Sequence, residues 1–119
     1  MNTLFFKILV VILIFSAESL YILSEMLSAK YYFIPNSQLT HILIKLIPLT
    51  IIGSILILVG YMLGYKTFTN IWIISTISIT SILILEPTLA YFIFKQIPTR
   101  GALIGLIFGA VGFAFSIFY

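Results

Sequence analysis

The sequence predicts an all-α integral membrane protein of four transmembrane helices, and three observations carry that expectation. Hydrophobic residues make up 62% of the 119 positions and charged residues only 8%, with a mean hydropathy of +1.28. A soluble domain of this size leaves too much of its surface wet to hide that composition, so the bilayer is the solvent. Within it the backbone satisfies its own hydrogen bonds, as helices or as a closed barrel. The apolar runs are continuous rather than alternating, which excludes a barrel. At roughly 20 residues per span the length holds about four helices and no separate soluble domain.

The first span is expected over 4–28, with Lys7 near its start and Glu25 near its end. A polar segment follows, in which Pro35, Asn36 and Ser37 read as a turn. The second span covers 39–65, opening with His41 and Lys45 and closing on Gly60 and Gly64. The short link from Lys66 to Asn70 returns the chain to a third span, 71–94, rich in Ile, Ser and Thr. The link from Lys95 to Arg100 leads to the last span, 101–118.

Both termini fall on one membrane face, side A, with Lys7 and Lys66. The opposite face, side B, carries Lys30, Lys45, Lys95 and Arg100. The positive-inside rule therefore puts side B in the cytoplasm of a multi-pass protein of the inner membrane. These scattered cations serve topology and headgroup anchoring, and no nucleic-acid patch is expected. The start resembles a signal peptide, but its apolar run holds Glu18 and lacks a small-residue cleavage pattern, so it is expected to be retained. The chain has no cysteine and a single histidine, His41. It therefore offers no thiolate chemistry, and no metal, cofactor or enzymatic activity is expected.

The chemistry concentrates in Glu18 and Glu86, two of only three acidic residues, because each sits inside an apolar stretch where an ionised group is costly. Counted from the predicted span ends, Glu18 lies roughly 14 Å and Glu86 roughly 12 Å below side B at 1.5 Å per residue. The two carboxylates are thus expected at nearly one level, able to share a cavity if their helices face each other. Such a pair resists double ionisation, through desolvation and mutual repulsion, and so suits exchange of protons for a cation. The plainer alternative is that a glutamate only holds helices together, through Lys45 or through the hydroxyls of Ser16, Ser19, Ser78, Thr80 or Ser81. Glu25 reads as a solvated or salt-bridged rim residue, within reach of Lys30 or Lys45. Lys45 is expected to reach for the side B headgroups.

Pro87 removes a backbone donor directly after Glu86, which marks a hinge or an ordinary proline bend. Gly101, Gly105 and Gly109, with Gly112 close behind, form small-xxx-small steps on the last span and mark a dimer contact. Gly53, Gly60 and Gly64 form another stripe, serving an interface or packing within one chain. Tyr61, Tyr91 and Ser19 are candidate cavity-lining residues, the two rings able to hold a cation on their faces.

The stretch from Leu85 to Gly105, continued by Gly109–Gly112, resembles the signature of the drug/metabolite transporter superfamily, in which a helix ends in a short polar loop and re-enters as a glycine-rich span. Within it, the glutamate of Ser16-Ala17-Glu18 matches the proton- and substrate-binding carboxylate of the small multidrug resistance proteins. The resemblance implies an antiparallel dimer in which two Glu18 residues meet in one chamber and the fourth helices make the contact. It also implies export of small organic cations, of quaternary ammonium or guanidinium type, in exchange for protons. The third span departs from that family, with Ser and Thr in place of its glycine hinge and tryptophan, and with Glu86-Pro87 added. That departure fits equally a subunit of a lipid-linked aminosugar flippase, acting as a homodimer or a paired heterodimer. A non-transporting subunit of a larger membrane complex is the third alternative.

Overall fold

A computed structural model describes residues 3–118, apart from the side chain at position 117. It is all-helical, with four helices: α1 (Thr3–Phe33), α2 (Leu39–Phe68), α3 (Ile71–Phe94) and α4 (Arg100–Phe118). The first three are long and apolar enough to cross a membrane, and α4 is a shorter apolar helix.

Helix ends follow local chemistry. Helix α1 runs five residues past its predicted end, because nothing between Ser28 and Phe33 breaks a helix and the stop comes only with Pro35. After it, Asn36 takes a left-handed φ of 65° and turns the chain. Helix α2 likewise absorbs most of its predicted link and stops at Thr69, whose φ of 56° lets its N–H cap the Tyr65 carbonyl at 2.9 Å. Asn70 then caps α3, its Oδ1 accepting from the Trp72 N–H at 3.0 Å. Lys95 ends α3 as Thr69 ends α2, with φ 58°. Thr99 caps α4 by accepting from the Ala102 N–H at 3.2 Å.

Lipid is as apolar as leucine, so close backbone approach rather than burial from water joins these helices. The α2 stripe Gly53, Gly60 and Gly64 is buried and supplies that approach. A Cβ at Gly53 would meet Ala17 and Leu20, one at Gly60 would meet Ile14, and one at Gly64 would meet Ile74 and Val10. The descending α1 partners show that α1 and α2 run antiparallel. Val10, Ile14 and Ile74 form the fully buried centre where α1, α2 and α3 meet. This stripe therefore works within the chain, the second of the two roles the sequence left open.

Among the described residues, helix α4 touches only α3. The molecule is a slab 18 Å thick along its shortest axis, not a closed four-helix bundle. The α4 surface is open to match: among the described residues a Cβ at Gly101, Gly105 or Gly112 would meet nothing within 4 Å, and Gly109 is approached by Leu83 at 3.2 Å.

Candidate functional site

Glu18 stands midway along α1, fifteen residues from either end. The face of α1 carrying Val10, Ile14 and Ala17 is buried against α2 and α3. One turn on from Ile14, Glu18 reaches across to α3. There Ile74, Ser78, Ser81 and Leu85 form the buried stripe at helical spacing. Ser78 Oγ donates to Glu18 Oε1 at 2.7 Å. The hydroxyls of Thr76, Thr80, Ser81 and Thr88 instead turn back to carbonyls of their own helix. Ser78 is thus the member of the predicted hydroxyl set that crosses to the carboxylate, and Ser19 donates to Ser16 O at 2.7 Å.

A second cross-helix bond lies one turn further along α1. Tyr21 Oη and Ser54 Oγ are 2.6 Å apart and join α1 to α2. Neither Tyr21 nor Ser54 stands out in the sequence. Their signal is the adjacent Gly53, where α2 presses closest to Tyr21 and its neighbours. The two bonds make a polar layer through the middle of the three-helix body.

A carboxylate has about four lone-pair positions, and Glu18 uses one on the Ser78 hydroxyl. Its remaining capacity is available to a proton or to a cation, and no ion pair to it is found among the described residues. Glu18 is half-buried. On the same side of α1, Phe15 and Val11 are 39% and 43% exposed, so this chain covers that face only in part.

Glu86 is elsewhere. Helices α1 and α3 run parallel, as Glu18 opposite Ser78 and Lys30 Nζ on Ile93 O (3.0 Å) show. Glu86 lies eight residues beyond Ser78, which is about 12 Å further toward side B. The expectation of one common level fails because it measures depth from predicted span ends, and α1 runs five residues beyond its own. Glu86 is exposed and lines a cleft of about 500 Å³ between α3 and α4, with Pro87, Gln96 and Thr99 among its walls.

Helix α3 remains helical through Pro87. Proline takes away the donor for the Leu83 carbonyl, and in the next position Thr88 Oγ1 donates to Ile84 O at 2.7 Å. Of the predicted cavity-lining rings, Tyr61 packs against the Val10–Ile14–Ile74 centre. Tyr91 is half exposed and edge-on to Phe92, with ring centroids 5.8 Å apart.

The basic residues are engaged away from Glu18. Lys45 Nζ lies 5.0 Å from the Tyr31 ring centroid, and Lys30 caps α3. Among the described residues no three of the His, Cys, Asp and Glu side chains gather as metal ligands would. Compared with family models, with curated proteins and with solved structures, the chain finds no match in any of the three.

Proposed function

We propose that this chain is one half of a dimeric, proton-coupled transporter of the inner membrane that exports small organic cations. Glu18 is its shared proton and substrate site. The observation that carries the reading is a carboxylate at the centre of an apolar helix, held by a single neutral hydroxyl at 2.7 Å. A residue kept only to fasten helices would be expected to have its charge matched by a base or by several donors, since an unmatched one is costly in lipid. With most of its lone pairs uncommitted, the group alternates between a proton and a cation. The sequence's likeness to the small multidrug resistance proteins at Ser16-Ala17-Glu18 points the same way.

What one chain leaves uncovered supports a dimer. The Glu18 side of α1 is partly open, and at three of the four α4 glycines an added Cβ would meet nothing within 4 Å among the described residues. In the proposed dimer a second copy docks along α4, and the open Glu18 faces of the two copies turn to one chamber that one slab cannot form. Four spans, with α4 crossing as the shortest, and side B in the cytoplasm complete the arrangement.

The test is proton release from purified protein in detergent on adding a quaternary ammonium compound. Release is expected from the parent chain and none from Glu18→Gln. Release that survives in Glu18→Gln, or no release with any cation of this class, refutes the proposal.

A further inference from the structure

The seam between α3 and α4 holds two clefts. Toward side A lies one of about 430 Å³ lined by Asn70, Trp72, Thr76, Thr80, Phe113 and Ser116. Toward side B lies the 500 Å³ cleft of Glu86. Between them Leu83 closes on α4, its Cδ2 within 3.2 Å of where a Cβ at Gly109 would stand. The two are therefore separate spaces, and the Glu86 cleft opens at its own end of the seam.

That cleft has an uneven character. Glu86 is the one charged residue among its lining, accompanied by the neutral polar groups of Gln96 and Thr99. Thr99 already serves the α4 backbone. The rest of the wall is apolar: Pro87, Ala90, Ala102, Gly105 and Leu106 among others. The mouth is apolar too, with Ile97 of the lining 79% exposed. A ligand reaching Glu86 along this surface arrives from the bilayer, with an apolar part that stays in contact with it. Its head meets a carboxylate for which no ion pair is found among the described residues; Lys95 and Arg100 flank the loop part of the lining, and Lys95 Nζ lies over the Phe92 ring at 5.8 Å. A lone anion at such a position is costly, and an ammonium group donates to it with opposite charge.

We propose that the Glu86 cleft is a binding site, separate from Glu18, for the ammonium head of a membrane-resident amphiphile whose tail lies along α3 and α4. The proposal goes beyond the transport reading and does not depend on it. The head comes either from an amine-bearing lipid or from a free alkylammonium.

The chain has no cysteine, so Ala102→Cys in the cleft wall accepts a polarity-sensitive fluorophore on the full-length protein. In phosphatidylglycerol vesicles, which carry no amine, dodecylammonium is expected to shift its emission at about a tenfold lower concentration than dodecanol. Adding Glu86→Gln is expected to abolish that preference, and adding Glu18→Gln to leave it intact. Replacing half of the lipid by phosphatidylethanolamine separates the sources. A raised half-saturation for dodecylammonium assigns the site to the lipid amine, and an unchanged one assigns it to the free alkylammonium. Equal response to dodecylammonium and dodecanol, or a preference that persists in Glu86→Gln, overturns the proposal. So does ready disulfide formation between two unlabelled Ala102→Cys chains that leaves dodecylammonium without effect, because a second copy then covers the cleft.

Discussion

Gly60 offers the sharpest test of how the three-helix body holds together. A Cβ at this position would sit 2.9 Å from Ile14 Cγ1 and 3.6 Å from both Ile14 N and Leu13 Cβ. Favourable carbon–carbon contact begins at about 3.5 Å, so Gly60→Ala forces either the side chain or the helix to move. Ile14 is fully buried and β-branched, which leaves its χ1 little freedom. Overpacking of this kind costs about 1–3 kcal/mol. Alanine also recovers about 1 kcal/mol of helix propensity over glycine, which offsets part of that cost. Gly112→Ala isolates the second effect, because a Cβ there meets nothing within 4 Å. Unfolding by sodium dodecyl sulfate in mixed micelles diluted to one chain each compares the two, with Trp72, the single tryptophan, as reporter. Gly60→Ala is expected to be less stable than Gly112→Ala by about 1–3 kcal/mol. Equal stability of the two variants would mean that α2 does not approach α1 through Gly60, and the packing argument would fall.

Two further expectations follow from the site. Ser78→Ala removes the donor to Glu18, and hydrogen bonds to charged groups are worth about 1.5–3 kcal/mol. Unfolding by sodium dodecyl sulfate should therefore find Ser78→Ala less stable than the parent by about that amount, while Ser81→Ala, whose hydroxyl serves its own helix, should lose less. Pro87→Ala restores the donor to the Leu83 carbonyl and should stabilise α3 by up to about 3 kcal/mol. If Pro87 is a hinge, cation uptake into liposomes falls several-fold in that variant, and unchanged uptake removes Pro87 from the transport cycle.

The helices themselves were written in composition and punctuation. Continuous apolar runs fix their number because a backbone in lipid has to bond internally. Pro35 and Asn70 mark boundaries through local sterics and capping that need no tertiary context. Glu18 was legible for the same reason: a carboxylate amid apolar residues is conspicuous in any fold.

What the residues do to one another was decided only in three dimensions. Five hydroxyls were equivalent candidates for Glu18 in the sequence, and the rotation of α3 about its axis selected Ser78. The α2 and α4 glycine stripes look alike as patterns, yet all three α2 glycines are met by neighbouring helices and only Gly109 of the four α4 glycines is, among the described residues. Glu18 and Glu86 read as level because depth was counted along each helix from its own end, whereas relative height depends on how two helices slide against each other. Spacing along one helix is set by covalent geometry. Register and rotation between helices arise from packing across the whole interface, which no single segment encodes.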